Sequence, residues 1–379
     1  MKIGINVCIL NGGKGKESLT GIGYYTYQIV KNLIHYDNDN YYYLFTFYPL
    51  FVEFEKKDNY EIVVIPSYTQ KKLLWTAFTL STKLKKYPLD AFWDPAFILP
   101  LCMSKRVKSF VTIHDLANFI FKGISKEGKT LLKIKKYFIG KACRKADKII
   151  SVSEATKTDI EQMFQITPEK ITVIYQGGNW DDSGEEKKED AYSPYSQPYF
   201  LYVGTLQPRK NIDTIIRSFE RYKEQCKSET KLVFAGGIGW GMEETLCKVE
   251  QSTFKDDIVL EGRVSEERKN VLYRNALALV FPSLYEGFGV PVLEAFHFNT
   301  LVITARNSAL PEVGGEAALY IDDARDIETL SQLMYSVMNM EDDERRARIE
   351  AGRRQAEKFS WYNCAMEIKD VITKLNRVD

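Results

Sequence analysis

Residues 199–226 read YFLYVGTLQPRKNIDTIIRSFERYKEQC and contain one complete strand–loop–helix unit. The continuous apolar run Tyr199–Val203 is typical of a strand that is buried on both faces of a sheet. Gly204 and Pro208 then indicate a loop, and helical periodicity fits Ile212–Cys226. This order of elements is the repeating unit of parallel α/β sheets, so the stretch predicts such a sheet.

The same alternation continues on both sides of this stretch. Strands are predicted at Lys2–Ile9, Tyr41–Phe47, Glu61–Pro66, Lys108–Ile113, Lys148–Val152 and Ile171–Tyr175, and then at Tyr199–Val203, Lys231–Ala235, Ile258–Glu261, Ala278–Pro282, Leu301–Thr304 and Ala318–Ile321. Helices are predicted at Gly23–Tyr36, Glu127–Ala146, Glu154–Phe164, Ile212–Cys226, Glu266–Asn275, Val290–Phe298, Asp326–Asn339 and Asp342–Phe359. This order predicts an α/β protein with two doubly wound parallel sheets.

The charged, non-periodic segment 177–197 separates the two series of strands and predicts a linker or a long loop. We therefore assign a first domain to residues 1–178 and a second domain to residues 195–360. Because open parallel sheets bind ligands at the carboxyl ends of their strands, we expect the ligand site in a cleft between the two domains.

The composition is that of an ordinary globular protein, with 379 residues of which 45% are hydrophobic and 27% charged. No uncharged apolar run approaches the ~18 residues that a membrane span requires. The six cysteines form no C-x-x-C pair and only three histidines are present, so no zinc site is predicted. Scattered cysteines in a long chain predict reduced, mostly buried thiols in a cytoplasmic protein.

Charge is unevenly distributed along the chain. Up to Trp180 there are 26 basic and 16 acidic residues, and after it there are 26 basic and 35 acidic residues. One interpretation is two solvated surfaces that differ in charge. The other is that the first domain faces an anionic partner, such as a phosphorylated acceptor or a membrane surface contacted by the basic stretches 71–75, 83–87 and 127–148. Nucleic acid is not expected as a partner, because the pI is only about 7.5.

Two basic residues, Arg209 and Lys210, lie just before a predicted helix, where the helix dipole favours anions. A bound diphosphate would resolve this conflict, and the alternative is an exposed basic turn. The string Ser283–Ala295, SLYEGFGVPVLEA, also follows a predicted strand and leads into a helix. Its carboxylates, Glu286 and Glu294, can accept hydrogen bonds from sugar and ribose hydroxyls. The alternative for either carboxylate is helix capping.

Two further groups lie where ligands are expected. His114 and Asp115 end a predicted strand, at the edge of the sheet that binds ligands. Gly21 and Gly23 open a predicted helix whose free amides would suit a phosphate. The alternatives are a structural histidine and a plain turn.

These strings together resemble a retaining glycosyltransferase of family 4, of the glycosyl transferases group 1, with two Rossmann-like domains in the GT-B arrangement. The matching strings span nearly the whole chain in the order of that family: GIG at 21–23, TIHDL at 112–116, SVSE at 151–154, YVGTLQPRKN at 202–211, the E-x7-E pair at 286 and 294, and LPEV at 310–313. The chain departs from the family pattern at Phe298–Leu301, where relatives often carry Cys-Gly-Thr-Pro, and at Thr205, where some carry Arg.

The resemblance implies catalytic roles for His114, Lys210 and Glu286. Arg209 and Lys210 would bind the donor diphosphate, Glu286 would hold sugar hydroxyls, and Glu294 would hold the ribose. His114 would contact the sugar near its reacting carbon. The other implied donor-binding residues are Gly21, Gly23, Arg263, Val264, Gly287, Phe288 and Gly289. Residues 361–379 would form a helix that crosses back to the first domain.

The expected reaction moves a hexose, with mannose as a candidate, from a GDP- or UDP-linked sugar to a saccharide or lipid-linked acceptor in glycan or polysaccharide biosynthesis. The resemblance implies retention of the α configuration. No cofactor or metal is expected, because cations and helix amides can stabilise the leaving diphosphate. The alternatives are a sugar-nucleotide epimerase of the GT-B fold and a non-catalytic protein that binds nucleotide sugars.

Overall fold

The computed structural model describes residues 1–12, 19, 21–67, 71–121, 127–178 and 193–375. The chain divides into two compact units: Met1–Gly177 together with Phe359–Asp379, and Gly178–Lys358. Most of the predicted linker, residues 179–192, lies outside the described residues. Each unit is built on one parallel sheet, so the predicted α/β fold class with two doubly wound domains is confirmed.

The sheet of the first unit has seven strands in the part of the chain that is described. They are β1 (Lys2–Asn6), β2 (Tyr41–Thr46), β3 (Tyr60–Val64), β4 (Ala91–Asp94), β5 (Lys108–Ile113), β6 (Lys148–Ser151) and β7 (Ile171–Val173). Their order across the sheet is β3-β2-β1-β4-β5-β6-β7, and all neighbours are parallel. Strand order therefore reverses direction between β1 and β4, which is the switch point of a Rossmann-like sheet.

The sequence did not predict β4, although it lies in the middle of this sheet. Ala91–Asp94 is only four residues long and stands between Pro88 and Pro95, so it gives little periodic signal. Its residues are nevertheless fully buried, and Trp93 donates from Nε1 to Thr112 Oγ1 at 3.0 Å. The pairing of β4 with β1 and β5 supplies the stabilisation that local sequence does not.

The helices of the first unit cover the sheet. They are α1 (Ile22–Tyr36), α2 (Lys72–Leu74), α3 (Ser81–Lys83), α4 (Ala117–Ile120), α5 (Lys129–Lys145) and α6 (Glu154–Phe164). A π-helical stretch, Trp75–Leu80, joins α2 to α3, and short 3-10 turns lie at Cys8–Gly12, Leu84–Lys86 and Pro168–Lys170. Ser153 begins α6 as its N-cap, because its Oγ accepts from Thr156 N at 3.1 Å.

The second unit contains six strands in its described part. They are β8 (Tyr199–Val203), β9 (Lys231–Ala235), β10 (Ile258–Gly262), β11 (Ala278–Phe281), β12 (Leu301–Ala305) and β13 (Leu319–Ile321). The order is β10-β9-β8-β11-β12-β13, again all parallel, with the switch point between β8 and β11. All six predicted strands of this series are confirmed within one or two residues at their ends.

The helices of the second unit are α7 (Ile212–Cys226), α8 (Glu243–Gln251), α9 (Glu266–Asn275), α10 (Val290–His297), α11 (Leu310–Gly314), α12 (Ile327–Met338) and α13 (Asp342–Ala356), with 3-10 turns at Pro208–Lys210 and Lys255–Asp257. Helix α8 was not predicted. It carries mostly polar residues, and Val249 alone among its nine residues is buried. Its apolar stripe is therefore too narrow to give a helical period.

The last helix, α14 (Trp361–Leu375), packs against α1 of the first unit. Trp361 lies edge-on to Tyr25, with ring centroids 5.9 Å apart. Lys369 of α14 pairs with Asp37 at 2.9 Å, just beyond the end of α1. Gly177 touches the start of α14, since a Cβ added there would lie 2.7 Å from Trp361 N. The chain therefore leaves and re-enters the first unit at neighbouring points.

All six cysteines lie in the described part of the chain and are free thiols. Cys8, Cys143 and Cys364 are buried, Cys226 is half-buried, and Cys102 and Cys247 are exposed, so only half of the thiols are buried as predicted. Within the described residues, no helix is both long enough and apolar enough to span a bilayer.

Candidate active site

The loops that follow β8 and β11 meet at the switch point of the second sheet. β8 ends at Val203, and the 3-10 turn Pro208–Lys210 leads into α7. β11 ends at Phe281, and the loop after it reaches α10 at Val290. Leu284 N donates to Arg209 O at 2.9 Å, which joins the two loops directly. Open α/β sheets bind their ligands at such a point.

Three residues predicted for this site contact one another: Arg209, Lys210 and Glu286. Lys210 Nζ lies 2.5 Å from Glu286 Oε1, and Arg209 Nη1 lies 3.1 Å from Glu286 Oε2. Arg209 Nη1 also donates to Tyr285 O at 2.5 Å. The Lys210 and Arg209 side chains are only 13% and 15% exposed. One buried carboxylate thus neutralises half of the positive charge of the two cations at the start of this helix.

The electrostatics of the cluster keep Glu286 ionised. Burial acts to raise the pKa of the Glu286 carboxyl, but Lys210 and Arg209 outweigh it and hold the pKa below its usual value. Lys210 Nζ also lies 5.0 Å from the centre of the Phe281 ring, a cation–π contact. With two cations and one anion, the cluster carries one net positive charge.

Asn211 completes the predicted Arg-Lys-Asn string but plays a structural part. Its backbone adopts a left-handed conformation, with φ of 61°, where Asn is tolerated better than most residues. Its Nδ2 donates to Pro282 O at 3.0 Å and also to Ala324 O. Thr214 Oγ1 donates to Asn211 Oδ1 at 2.7 Å. Asn211 therefore fixes the loop that carries Arg209 and Lys210 against the end of β11.

Glu286 is held from the other side by the loop after β12. Its backbone N donates to Ser308 Oγ at 2.9 Å, and Ala309 N donates to its carbonyl oxygen at 3.3 Å. Ser308 has a φ of 46°, which costs strain in a non-glycine residue. The sequence did not indicate this residue, because nothing in the string around it distinguishes it from an ordinary loop serine.

Glu294, the second carboxylate of the E-x7-E pair, contacts a different set of side chains. It is 3% exposed and lies one turn inside α10. Lys269 Nζ lies 2.9 Å from its Oε1, and Tyr273 OH donates to its Oε2 at 2.8 Å. Burial raises the pKa of the Glu294 carboxyl, while Lys269 and Tyr273 act to lower it. Lys269 and Tyr273, both from α9, were not predicted as site residues.

The loop that contains Gly287, Phe288 and Gly289 is buried directly before α10. Gly289 has a φ of 125°, which a residue with a side chain rarely adopts, and a Cβ there would lie 3.3 Å from Leu310 Cδ2. Glycine is therefore required at this position by backbone conformation. That the amides of this loop face sugar and phosphate stays a prediction.

Arg263 and Val264 follow β10 at the same edge of the sheet. Arg263 is exposed and its side chain lies over Gly237, where an added Cβ would come 3.2 Å from Arg263 Nε. Gly236 N donates to Gly262 O at 2.7 Å, so the loops after β9 and β10 are joined. The predicted contact of Arg263 and Val264 with a nucleotide base is not tested by this arrangement.

His114 follows β5 of the first unit, at the carboxyl edge of that sheet, as the sequence predicted. Its Nε2 lies 2.8 Å from Pro95 O, and a carbonyl can only accept, so Nε2 carries a proton. The ring lies edge-on to Tyr25 at 4.7 Å and to Phe97 at 5.6 Å between centroids. Burial lowers the pKa of His114 to about 4, so the imidazole is neutral at physiological pH.

Asp115, next to His114, caps a turn: its Oδ1 accepts from Ala117 N at 3.1 Å, at the start of α4. Gly21 lies at the N-cap of α1 with a φ of 51°, and a Cβ there would meet nothing within 4 Å. A Cβ at Gly23 would lie 3.3 Å from Leu19 Cδ2. The backbone at Gly21 is thus open to close approach, while a side chain at position 23 would press on Leu19.

A buried carboxylate that the sequence analysis missed lies at the switch point of the first sheet. Asp94 ends β4 and is 1% exposed. Asn6 Nδ2, at the end of β1, donates to Asp94 Oδ2 at 2.5 Å, and Ala96 N donates to Oδ1 at 2.7 Å. Burial raises the pKa of Asp94 to about 7 despite these donors. The unpredicted strand β4 explains why Asp94 was missed.

Among the described residues, no group of three or more histidine, cysteine, aspartate or glutamate side chains is arranged to hold a metal ion. The string Asp37-Asn38-Asp39 has the D-x-D form, but Lys369 pairs with both aspartates, at 2.9 Å and 3.1 Å. These carboxylates attach α14 to the end of α1.

Two family models match the chain, one for each unit. The model described as Glycosyltransferase Family 4 matches residues 19–179, and the model described as Glycosyl transferases group 1 matches residues 183–355. O-antigen chain mannosyltransferase B of Escherichia coli is 28% identical over 371 residues, which cover 93% of this chain and 95% of that protein.

Solved structures share the fold over the full length of the chain. WaaG, a glycosyltransferase involved in lipopolysaccharide biosynthesis, matches with a TM-score of 0.73 and 16% identity over 98% of this chain and 99% of that one. Sucrose-phosphate synthase from Thermosynechococcus elongatus matches with a TM-score of 0.74 and 18% identity over 100% of both chains. At this identity the likeness shows the fold alone.

Proposed function

The chain belongs to the family 4-type glycosyltransferases, and on that premise we propose that it moves a hexose from a nucleoside diphosphate sugar to a saccharide or lipid-linked acceptor. Mannose is the proposed sugar and polysaccharide biosynthesis the proposed context, because the relative that covers 93% of the chain is an O-antigen chain mannosyltransferase. We further propose retention of the α configuration, which the resemblance to retaining enzymes implies.

The observation that carries this proposal is the Arg209–Lys210–Glu286 cluster at the switch point of the second sheet. When the bond between the sugar and the diphosphate breaks, negative charge grows on the diphosphate and positive charge grows on the sugar ring. Lys210 and Arg209 would stabilise the first of these charges from fixed positions. Glu286, held ionised between them, would accept hydrogen bonds from sugar hydroxyls.

His114 has the chemistry for a contact with the sugar. A neutral imidazole that donates through Nε2 to Pro95 O keeps its Nδ1 lone pair as a hydrogen-bond acceptor. An uncharged ring also avoids repelling the positive charge that develops on the sugar in the transition state. We therefore assign to His114 a contact with the donor sugar, and not a role as a cation.

We propose that the reaction needs no metal ion. In many phosphoryl and glycosyl transfers a divalent cation neutralises the phosphates. Here a guanidinium and an ammonium, both fixed by Glu286, provide two cationic donors and one net positive charge beside the predicted diphosphate position. The proposal rests on these two cations.

Turnover of GDP-mannose and UDP-hexoses, with and without saccharide and polyprenyl-linked acceptors, tests the proposed function. Transfer to an acceptor with an α-linked product supports it. Conversion of the donor into an isomeric nucleotide sugar without acceptor would identify an epimerase. Tight donor binding with neither hydrolysis nor transfer would identify a non-catalytic binding protein, and either of these two results would refute the transferase.

A surface of the first unit supports a lipid-linked acceptor. Helix α5 carries seven basic residues and no acidic one, and no residue from Lys129 to Phe138 is buried. Its apolar residues Leu131, Ile134 and Tyr137 are 44%, 44% and 59% exposed. Phe138 packs edge-on against Phe78 of the π-helical stretch Trp75–Leu80. The Phe78 side chain is itself 52% exposed. We define these exposed residues of α5 together with Phe78 as the α5 surface.

We propose that the α5 surface contacts the anionic cytoplasmic leaflet of a membrane. Lysines near such a surface each contribute about 1 kcal/mol, and exposed apolar side chains insert between headgroups. The prediction also placed Trp75, in the basic stretch 71–75, on the membrane-contacting surface. Trp75 is fully buried and donates from Nε1 to Ile65 O at 3.0 Å, so it belongs to the core.

A further inference from the structure

Lys269 is a lysine held almost entirely inside the second unit. Helix α9 begins after Ser265, whose Oγ accepts from Arg268 N at 3.2 Å, and Lys269 lies in its first turn. The residue is 8% exposed. Its Nζ lies 2.9 Å from Glu294 Oε1 and 2.7 Å from Glu266, whose side chain is 65% exposed. Lys269 therefore joins a buried carboxylate to a surface carboxylate.

The charge of Lys269 acts on a carboxylate that burial would otherwise neutralise. Burial disfavours the ionised form of Glu294, and the nearby ammonium favours it. Tyr273 OH, from the next turn of α9, adds a hydrogen bond to the second oxygen at 2.8 Å. Glu266 opposes Lys269 weakly through space. Helix α10 also packs on α11, α13, β11 and β12, and the described parts of these elements add no side-chain hydrogen bond or ion pair to Glu294.

The lone pairs of Glu294 are only partly used by these contacts. An ionised carboxylate offers about four acceptor positions, two on each oxygen. Lys269 occupies one position on Oε1, and Tyr273 occupies one on Oε2. One position on each oxygen is left, which is the arrangement that two adjacent hydroxyl groups require. A protonated carboxyl could not accept from both hydroxyl groups in this way, because one of its oxygens would carry a proton and act as a donor.

We propose that Lys269 is a positioning residue of the donor site, which keeps Glu294 ionised and oriented so that its two oxygens accept from the two hydroxyls of a ribose. The proposal deepens the proposed function and rests on it. It adds a residue from α9 that sets the preference of the site for ribonucleotides over deoxyribonucleotides. Lys269 itself touches Glu294 and not the nucleotide.

The test uses the full chain in the wild type, Lys269→Met, Lys269→Arg and Glu266→Gln. Calorimetry measures the Kd of GDP or UDP, whichever the wild type binds, and of its 2′-deoxy form, between about pH 5.5 and about pH 8.5. We expect the wild type to prefer the ribonucleotide by about tenfold or more at all pH values, since a hydrogen bond to a charged acceptor is lost.

In Lys269→Met we expect this preference to fall to about twofold or less near neutral pH. It should recover as the pH rises and Glu294 loses its proton. Lys269→Arg and Glu266→Gln should keep the behaviour of the wild type. A merely structural lysine would lower the melting temperature of Lys269→Met but leave the ribose preference and its pH profile unchanged, and that result would overturn the proposal.

The outcomes also separate this proposal from the proposed function. If the wild type binds neither GDP nor UDP, both are refuted. If the wild type binds the nucleotide and transfers the sugar, but Lys269→Met keeps the same preference for the ribonucleotide, only the role of Lys269 is refuted. If Lys269→Met does not fold, Lys269→Gln replaces it, because a neutral amide can keep the hydrogen bond to Glu294 without the charge.

Discussion

Lys210 Nζ lies 2.5 Å from Glu286 Oε1, although 76 residues separate the two in the chain. The family resemblance implies that they contact different parts of the donor, the lysine the diphosphate and the glutamate the sugar. The ion pair shows that each of these two side chains holds the other in position without a bound donor. Changing either one therefore removes a counter-charge and a positional restraint from the other.

For Lys210→Ala we expect turnover to fall by roughly 100-fold or more, the scale of losing one preorganised electrostatic donor. Donor Kd should change much less, because the charge on the diphosphate grows mainly in the transition state. Steady-state kinetics and calorimetry measure the two quantities. Lys255→Ala, an exposed lysine of the same unit, is the matched control. Turnover near the wild-type value would end the assignment of Lys210.

Glu286→Gln keeps the shape of the side chain but leaves Arg209 and Lys210 without their counter-charge. We expect the free energy of unfolding to fall by about 3 kcal/mol, as when one partner of a largely buried ion pair is removed. Turnover should fall about tenfold or more, since an amide accepts hydrogen bonds more weakly than a carboxylate. Glu316→Gln, an exposed carboxylate, is the control. Lower stability with unchanged kinetics would show that Glu286 only supports the fold.

Asp94 should make the stability of the protein depend on pH. In the folded chain the Asp94 carboxyl keeps its proton up to about pH 7, whereas in an unfolded chain it releases the proton near the usual pKa of 3.8. The folded state therefore binds more protons in between, so the free energy of unfolding should fall as the pH rises from about 4 to about 7. Urea unfolding should show that this slope is reduced in Asp94→Asn and kept in the exposed control Asp58→Asn. Equal slopes in the two variants would contradict the raised pKa.

Activity should persist after dialysis against EDTA, because Arg209 and Lys210 supply the positive charge at the predicted diphosphate position. Transfer assays with and without EDTA, and after addition of Mg²⁺ or Mn²⁺, measure this directly. Complete loss of activity that is restored by metal would show that a divalent cation takes part in the reaction.

The α5 surface should bind liposomes that contain anionic lipids and not neutral ones. Binding should disappear near 0.5 M salt, where the Debye length is roughly half its physiological value. Replacing Lys133 and Lys136 by Glu should abolish co-sedimentation, while replacing Lys227 and Lys255 by Glu, an equal change of charge in the other unit, should not. Absence of binding to anionic liposomes at low salt would favour an acceptor that is free in solution.

The sequence predicted most strands and long helices because the pattern of apolar residues within each segment indicates how that segment is buried. A strand covered on both faces, such as Tyr199–Val203, must be apolar throughout, and each of its residues is buried. The failures are elements whose stabilisation comes from elsewhere. β4 is short and depends on pairing with β1 and β5, and α8 buries only Val249.

The sequence indicated which motifs contain the site residues, but it did not indicate which of their side chains contact one another. The strings located Arg209, Lys210 and Glu286 on neighbouring loops, because loops at the carboxyl ends of parallel strands share one edge. No local pattern shows which carboxylate pairs with which cation across 76 residues. Lys269 was missed for a similar reason: in a polar helix it looks like a surface lysine, and its burial beside Glu294 comes from the packing of α9 against other elements of the second unit.

The second unit is inserted into the first, between Gly177 and Phe359. During synthesis on a ribosome, residues 1–177 emerge well before α14, the helix that packs against α1. Chains usually fold their domains in the order of synthesis. The second unit is one continuous segment of the chain, whereas the first unit lacks α14 until the second has been synthesised. A truncation before Trp361 should therefore leave the second unit folded and the first aggregation-prone.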